Sequence, residues 1–263
     1  MKIHANGIEI HYELEGPESA PVVTLSHSLA TDLSMWEPQM AALKSGFRVL
    51  RYDTRGHGAT EATDGPYTLD QLAEDVRALL RALGISKTHF MGISMGGMIG
   101  QILALKDPDI LRSLVLCDTF SRTPEESLPV WEERIALAQK MGMDPLVEPT
   151  TERWFTASFR KKLPPVLDKV RNMIRATPLK GYVGCSRAIM RLNLTEPLGA
   201  IALPTLIVVG EDDPGTPVSA SQVIHKQIKG SELVILQSAA HLSNIEQQDA
   251  FNTVVLEFLR RQA

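Results

Sequence analysis

The chain has 263 residues, of which 44% are hydrophobic and 22% are charged, a composition typical of a folded globular protein. Disordered, collagen-like and coiled-coil chains have other compositions and are excluded. Lysine and arginine total 27 against 31 aspartates and glutamates, so the formal net charge is −4. Because binding to nucleic acid depends on an excess of positive charge, the sequence predicts no nucleic-acid partner.

The cysteines and the polarity of the first residues indicate where the protein works. Cys117 and Cys185 are too few for the disulfide framework of a small secreted protein and lack the spacing of a metal site. We therefore expect inert thiols, a cytoplasmic location, and no metal or other cofactor. Residues 1–7 are too polar for a signal peptide. Residues 88–105 lack Asp, Glu, Lys and Arg, but their four glycines predict a strand, a turn and a helix instead of a membrane span.

Short apolar runs alternate with helical patterns through the first part of the chain. This alternation predicts an α/β fold, in which a mostly parallel central sheet is flanked by helices. The predicted strands of this part are residues 8–14, 22–26, 47–52, 89–93 and 111–118. Residues 69–83 place leucine and valine at helical spacing and stop at Gly84, which predicts an amphipathic helix that covers the sheet.

Residues 121–197 break this rhythm, because prolines recur and helical patterns dominate. Strand patterns return at 205–210 and 231–236, and an amphipathic helix follows at about 245–260. We therefore predict one α/β core, formed by residues 1–120 and 198–263, with residues 121–197 inserted as a helical cap. The cap has 13 basic and 9 acidic residues, a charge of +4. Such an excess is typical of a solvated helix surface or of a cap that attracts an anionic substrate.

Residues 92–96 read Gly-Ile-Ser-Met-Gly and match the Gly-x-Ser-x-Gly pattern of a nucleophile elbow. An apolar run precedes the pattern and apolar residues follow it at helical spacing, so Ser94 would lie on a tight turn between a strand and a helix. A Cβ atom on Gly92 or Gly96 would clash with the neighbouring backbone of such a turn. The alternative interpretation is a glycine-rich turn with a structural role only.

A serine hydroxyl is a weak nucleophile, so Ser94 would need a base and a carboxylate that orients the base. His241 follows the last predicted strand, at the sheet edge where α/β proteins place their sites. Asp213 follows the strand at 205–210, and we favour it as the acid over Asp212 and over Asp118, which follows an earlier strand. Turn formation and helix capping are the alternative roles of each aspartate.

The segments that carry these residues resemble those of a known family. The matching segments are residues 25–29, 32–36, 51–58, 92–97, 153–156, 210–217 and 240–246. With the order Ser94, Asp213, His241 along the chain, the sequence resembles the α/β-hydrolase superfamily and, more closely, the 3-oxoadipate enol-lactonases. The resemblance implies an α/β-hydrolase fold, these three residues as the catalytic set, and an oxyanion hole formed by the backbone N–H groups of Leu29 and Met95.

Substrate contacts are expected from residues around these groups and from the predicted cap. Residues 27–30 read His-Ser-Leu-Ala where those lactonases typically have Asn-Ser-Leu-Gly, and we expect His27 to shape the pocket. The other candidates for substrate binding are Trp36, Trp154, Arg153, Arg187 and Arg191. The alternatives are core packing for the aromatic residues and a solvated surface for the arginines. Asp53, Arg55 and His57 are interpreted as structural residues of a turn.

These observations lead to a hypothesis of a serine hydrolase that cleaves an ester or lactone through an acyl-enzyme. The resemblance implies 3-oxoadipate enol-lactone as the substrate and a role in aromatic-acid catabolism. The nearest alternative is a general carboxylesterase for small neutral esters. A perhydrolase, a C–C bond hydrolase and a ligand receptor without turnover are more distant alternatives on the same fold. The expected partner is a small molecule, anionic if the basic cap serves binding, and neither a membrane nor a nucleic acid.

Overall fold

The computed structural model describes residues 1–162 and 164–262, and within them the chain forms an eight-stranded sheet flanked by helices. The strands are β1 (Lys2–Ala5), β2 (Ile8–Glu15), β3 (Val22–Ser26), β4 (Arg48–Tyr52), β5 (Thr88–Ile93), β6 (Leu111–Cys117), β7 (Thr205–Gly210) and β8 (Glu232–Leu236). Their order across the sheet is β1-β2-β4-β3-β5-β6-β7-β8. The β1–β2 and β2–β4 pairs are antiparallel and the other pairs are parallel. The predicted α/β fold with a mostly parallel sheet is therefore confirmed.

The helices lie before β6, between β6 and β7, and after β7. They are α1 (Glu37–Leu43), α2 (Leu69–Ala82), α3 (Met95–Lys106), α4 (Leu128–Met141), α5 (Asp144–Trp154), α6 (Ala157–Lys162), α7 (Pro164–Ala176), α8 (Leu179–Ile189), α9 (Val218–Gln227), α10 (Ser243–Glu246) and α11 (Gln248–Arg261). Helix α2 begins after Thr68, whose side chain accepts a hydrogen bond from the Gln71 N–H, and it ends just before Gly84, where φ is +68°. Its leucines are buried, as the predicted amphipathic pattern requires.

The central strand β5 lies between β3 and β6, and all six of its residues are buried. A strand covered on both faces favours residues without polar side chains, which explains the apolar run over residues 90–93. The chain then turns at Ser94 and enters α3, so the predicted sequence of strand, turn and helix over 88–105 is confirmed. Across the described residues, we find no helix with the length and apolar character needed to cross a bilayer.

Between β6 and β7, the described residues form helices α4 to α8 and one isolated β-bridge, which joins Arg122 to Asn193. We refer to residues 121–197 as the helical segment. The division into a core of residues 1–120 and 198–263 and a cap of residues 121–197 remains a prediction. Residue 163 of the predicted cap and residue 263 of the predicted core lie outside the described residues.

Some elements differ from the sequence-based expectations. Strand β1 and helices α1 and α9 were not predicted. The C-terminal helix was predicted as one element over about 245–260, but it is split at Gln247, where φ is −121° and ψ is 52°. The break separates α10, whose four residues are buried behind the His241 loop, from α11.

The parallel strands bring several loops to one edge of the sheet. Strands β3, β5, β6 and β7 run in the same direction, so their carboxyl ends lie side by side. The residues that follow these ends are His27, Ser94, Asp118 and Glu211. This edge is where open α/β sheets place their ligands.

Candidate active site

Ser94 lies on the tight turn between β5 and α3, with φ of 53° and ψ of −117°. Positive φ is unusual for a residue with a Cβ atom, and such strain is typical of functional turns. Strand β6 and the residues after it fix both backbone polar groups of Ser94 through hydrogen bonds. The Ser94 N–H donates to the Cys117 carbonyl at 2.9 Å, and the Thr119 hydroxyl donates to the Ser94 carbonyl at 2.8 Å.

Gly92 and Gly96 allow this tight turn, because a Cβ atom at either position would clash with neighbouring backbone. A Cβ atom on Gly92 would lie 2.2 Å from the carbonyl carbon of Gly96. A Cβ atom on Gly96 would lie 2.1 Å from the Ser26 carbonyl oxygen. Both contacts are with backbone, which cannot move aside as a flexible side chain would.

His241 and Asp213 form a buried hydrogen-bonded pair. The His241 Nδ1 lies 2.8 Å from Asp213 Oδ2. The same carboxylate accepts hydrogen bonds from the backbone N–H groups of Gly215 (2.8 Å) and Thr216 (3.1 Å) and from the Thr216 hydroxyl (2.5 Å). A carboxylate only accepts, so Nδ1 of His241 carries the proton and Nε2 remains as an acceptor. This is the arrangement that a general base requires.

The ionisation of the pair follows from this geometry. Although burial opposes its ionisation, the positive charge of His241 and the hydrogen bonds lower the pKa of Asp213 below its ordinary value. Burial also opposes protonation of His241, but the charge and hydrogen bond of Asp213 raise the pKa of the imidazole above its ordinary value. Asp213 is therefore charged at neutral pH and stabilises the imidazolium that proton transfer would create.

A cavity of about 320 Å³ lies against these residues, and Ser94, Asp213 and His241 all line it. This volume suits a small molecule. In the described residues, the Ser94 hydroxyl makes no side-chain hydrogen bond, so it faces the cavity without a protein partner. Serine–histidine contacts often tighten only when substrate binds.

The backbone N–H groups of Leu29 and Met95 are available for an oxyanion. Leu29 lines the cavity, and Met95 is the first residue of α3, where a helix N–H has no partner within the helix. Among the described residues, neither N–H group donates to a protein acceptor. Leu29 therefore lines the same cavity as Ser94, and Met95 follows Ser94 directly in the chain, while their role as oxyanion donors remains a prediction.

Asp118, the less favoured acid, lies behind the pair and not in the cavity lining. It is fully buried, with φ of +42°. Its carboxyl group accepts the Gly210 N–H at 2.8 Å and lies 2.5 Å from the Ser243 hydroxyl. Burial, followed by the negative charge of Asp213, raises the pKa of Asp118 well above its ordinary value. Through these two hydrogen bonds, Asp118 joins the loop of Asp213 to the loop of His241.

Two arginines line the cavity on the side of the helical segment. Arg153 was predicted, and its guanidinium donates to the Thr150 hydroxyl at 3.0 Å. Arg134 was not predicted, and its guanidinium lies 5.6 Å from the ring centroid of Trp131. In the part of the chain that the structure describes, no carboxylate lies within 4.0 Å of either group. Burial, together with the charge of Arg134, lowers the pKa of Arg153 to about 10, so Arg153 remains charged at neutral pH.

The helical segment also contacts the loop that carries His241. The Trp154 ring stacks on the His241 ring, with 6.1 Å between centroids and 29° between planes. The Leu242 N–H donates to the Trp154 carbonyl at 3.1 Å. The Glu246 carboxylate accepts both the Ala240 N–H, at 2.9 Å, and the Thr156 hydroxyl. The histidine loop is therefore held by the helical segment as well as by the sheet.

The structure does not bring four predicted substrate contacts to the cavity. Trp36 is fully buried and packs 6.4 Å from the Phe251 ring, as a core residue. Arg187 forms an ion pair with Glu132 outside the cavity, and Arg191 is exposed. His27 is fully buried beneath the loop that carries Leu29 and bonds only to neighbouring groups of the chain. We remove these four residues from the proposed substrate contacts.

Sequence reasoning missed Arg134, Trp131, Tyr182 and Thr216 in the lining of the cavity. Arg134 precedes all three arginines that the sequence offered as candidates, Arg153, Arg187 and Arg191. Only Thr216 could have been inferred from the sequence. It lies three residues after Asp213, close enough for its hydroxyl to hydrogen-bond the carboxylate. The position of Tyr182 depends on how α8 packs, and no local pattern reports that.

A metal site is not supported by the described residues, where no three His, Cys, Asp or Glu side chains are placed to hold an ion. Cys117 and Cys185 are both buried. Burial raises the pKa of each thiol, in keeping with inert cysteines.

Comparison with known proteins identifies the family. A family model described as "alpha/beta hydrolase fold" matches residues 21–248. The chain belongs to the α/β-hydrolase fold family. This membership and the relatives below confirm the predicted family, fold and class of enzyme, a hydrolase of carboxylic esters and lactones.

Three relatives of this family illustrate the similarity. The chain is 35% identical to 3-oxoadipate enol-lactonase 2 of Acinetobacter baylyi, over 98% of this chain and 95% of the relative. It is 40% identical to the enol-lactonase from Burkholderia xenovorans LB400, with a TM-score of 0.96 over 99% of this chain and all of that structure. It is 29% identical to a thermophilic esterase from Thermogutta terrifontis in a malate-bound structure, with a TM-score of 0.93 over 100% and 98% of the two chains.

Proposed function

We propose that the protein is a serine hydrolase that cleaves an anionic lactone through an acyl-enzyme, with 3-oxoadipate enol-lactone as the substrate. The observation that carries the proposal is a single cavity that holds two different groups of residues. Ser94, His241 and Asp213 lie on the sheet side of this cavity, and the guanidinium groups of Arg134 and Arg153 lie on the helical side. The first group supplies acyl-transfer chemistry, and the second selects a substrate with a carboxylate.

The reaction begins with attack of the Ser94 hydroxyl oxygen on the lactone carbonyl carbon, while Nε2 of His241 takes the hydroxyl proton. Asp213 holds the imidazole through Nδ1 and stabilises its positive charge. Negative charge develops on the carbonyl oxygen, and the N–H groups of Leu29 and Met95 donate to it. Because these donors are fixed before the reaction, they stabilise the charge without reorganising, and one such donor is worth about 3 kcal/mol.

Collapse of the tetrahedral intermediate breaks the bond between the acyl carbon and the ring oxygen. The ring oxygen leaves as an enol after taking the proton from His241, and it remains tethered to the acyl-enzyme because the ring has opened. Water then attacks the acyl carbon while His241 accepts a proton from it. Collapse of this second tetrahedral intermediate breaks the bond between the acyl carbon and the Ser94 oxygen, and His241 gives that proton to Ser94 as the carboxylic acid is released. An enol is a better leaving group than an alcohol, so an enol-lactone suits this sequence of steps.

The two arginines give the proposal its substrate class. Arg134 and Arg153 are half-buried and have no carboxylate partner among the described residues, so a ligand carboxylate would satisfy their hydrogen-bond donors in a forked geometry. The names of two relatives support an anionic lactone, since both are enol-lactonases. The malate of the esterase structure is itself a dicarboxylate. We further propose that the helical segment caps this cavity and that the protein acts in the cytoplasm, in aromatic-acid catabolism.

A general carboxylesterase for small neutral esters is the second candidate. Much of the cavity wall is apolar, which favours an uncharged ligand. These apolar residues are Met98, Phe120, Val130, Met143, Leu146, Ile174 and Ile189. The esterase from Thermogutta terrifontis is a relative with that activity in its name.

Steady-state kinetics with substrates that differ only in charge separate the two candidates. We would compare 4-nitrophenyl hexanoate with the 4-nitrophenyl monoester of adipate, which has the same leaving group and a six-carbon acyl chain that ends in a free carboxylate, beside 3-oxoadipate enol-lactone generated in situ. The proposal predicts a kcat/KM for the lactone in the usual enzymatic range of about 10⁴ to 10⁸ M⁻¹s⁻¹ and a preference for the anionic ester. A preference for the neutral ester would overturn the anionic-substrate proposal and leave the serine mechanism in place.

A further inference from the structure

The loop that carries Leu29 rests on two buried histidines that the mechanism above does not use. His27 and His57 are fully buried, and their ring centroids lie 5.3 Å apart. His27 precedes Leu29 by two residues, and His57 belongs to the turn after β4. Neither ring lines the cavity.

The hydrogen bonds of each ring fix which nitrogen carries the proton. The His27 Nδ1 lies 2.7 Å from the Ser28 carbonyl oxygen, and its Nε2 accepts the Thr54 N–H at 2.9 Å. The His57 Nδ1 lies 3.3 Å from the Arg55 carbonyl oxygen, and its Nε2 accepts the Ala30 N–H at 3.1 Å. A carbonyl only accepts and a backbone N–H only donates, so both rings are neutral, with the proton on Nδ1.

These bonds hold the two peptide groups on either side of Leu29. The Ser28 carbonyl and the Leu29 N–H belong to one planar trans peptide, so they point in opposite directions. His27 holds that carbonyl together with the Thr31 hydroxyl, which donates to it at 2.8 Å, and the Leu29 N–H is thereby directed away from the His27 ring. His57 holds the next peptide group through the Ala30 N–H. Ala30 itself has φ of +60°, a strained value for a residue with a Cβ atom, so the loop needs such restraint.

We infer that His27 and His57 are positioning residues for the reaction: each neutral ring fixes one peptide group beside Leu29, and together they aim the Leu29 N–H at the developing oxyanion. The inference rests on the proposed function, because it assumes the oxyanion at Leu29. Burial lowers the pKa of His57 to about 3 and also lowers the pKa of His27, so both rings keep this role at neutral pH.

Asparagine and glutamine variants test the inference, because each amide replaces a different ring nitrogen. An asparagine side chain places its NH₂ near the position of Nδ1, and a glutamine places its oxygen near the position of Nε2. His27 acts on the loop through Nδ1, so His27→Asn keeps the important bond and His27→Gln loses it. His57 acts through Nε2, so the order is reversed, and His57→Gln keeps the bond that His57→Asn loses.

The measurement is kcat and KM for 4-nitrophenyl acetate, together with the affinity for a trifluoromethyl ketone, which binds as a tetrahedral oxyanion. We expect His27→Gln and His57→Asn to lower kcat by at least about tenfold relative to His27→Asn and His57→Gln, with KM within about twofold. The affinity for the ketone should fall by a similar factor. His89 is a matched control, since it is fully buried in β5 and bonds to Ser113, and His89→Gln should leave kcat within about twofold.

If the two histidines had only a structural role, the same amide would give the higher kcat at both positions, or His89→Gln would lower kcat as much as His27→Gln and His57→Asn do. Either result would overturn the inference. Equal kcat in all four variants would do the same. Failure of the proposed function is distinguishable, because the unsubstituted protein would then neither hydrolyse the ester nor bind the ketone.

Discussion

The indole of Trp154 and the imidazole of His241 stack at 6.1 Å between ring centroids, so the helical segment directly contacts the proposed base. The pKa of His241 is raised overall, but burial opposes its protonation, and the stacked Trp154 ring covers one face of the imidazole. Replacing Trp154 with alanine should expose the ring to water and raise its pKa. We expect the acid limb of the kcat/KM profile against pH to move to higher pH, with Trp154→Phe, which keeps a stacked ring, close to the unsubstituted protein.

The negative charge of Asp213 raises the pKa of His241, so its removal should shift the pH profile in the direction opposite to the shift expected for Trp154→Ala. His241 must be neutral to accept the Ser94 proton, so kcat/KM should rise with pH through a pKa above the ordinary histidine value of about 6.5. Asp213→Asn removes the negative charge that raises this pKa, and the acid limb should move to lower pH. The plateau should fall by about 10³- to 10⁴-fold, because the amide cannot stabilise the imidazolium. An unchanged limb in this variant would show that Asp213 is not the acid.

Selectivity for an anionic substrate should depend on Arg134 and Arg153. For the mono-adipate ester, Arg134→Leu and Arg153→Leu are each expected to raise KM by about 10- to 100-fold, the value of a hydrogen bond to a charged group. KM for 4-nitrophenyl acetate should change by less than about threefold. Arg187→Leu is the control, because Arg187 lies in the same helical segment, pairs with Glu132, and does not line the cavity. Equal effects on both esters would place the two arginines outside substrate recognition.

Asp118 should reduce stability at neutral pH. Its pKa is raised in the folded protein, whereas the unfolded chain ionises near pH 4. As pH rises above about 4, the unfolded state releases a proton that the folded state retains, and the free energy of unfolding decreases. An asparagine can accept the Gly210 N–H and donate to Ser243 without a proton from solvent.

Asp118→Asn should therefore have a higher Tm than the unsubstituted protein at pH 7.5 and a smaller advantage at pH 4.5. Its kcat should stay within about threefold, because Asp118 does not line the cavity. Thermal unfolding at the two pH values checks this expectation, with the exposed Asp109→Asn as control. A loss of stability at pH 7.5 would show that Asp118 is ionised in the folded protein.

The sequence alone predicts those parts of the site that depend on a local residue pattern. The elbow at Ser94 depends on neighbouring glycines, and the loops of Asp213 and His241 each follow a recognisable strand. Their convergence follows from the parallel direction of the strands, since the carboxyl ends of such strands share one edge.

The residues that depend on long-range packing were not accessible in this way. Trp36 and Trp154 are the same residue type, but one packs against Phe251 and the other against His241, and only the fold decides between them. Arg134 and Arg187 both lie on helices of the same segment, yet only Arg134 faces the cavity. The role we infer for His27 depends on the orientation of a single peptide group, which no sequence pattern reports.

Covalent labelling with a fluorophosphonate, followed by intact-mass measurement and peptide mapping, tests the central claim most directly, because the reagent reacts with an activated serine. The account predicts one adduct per chain, on the peptide that contains Ser94. Labelling should disappear in Ser94→Ala and slow by at least about 1,000-fold in His241→Ala. An adduct at another residue, or undiminished hydrolysis of 4-nitrophenyl acetate by Ser94→Ala, would contradict the assignment of Ser94 as the nucleophile.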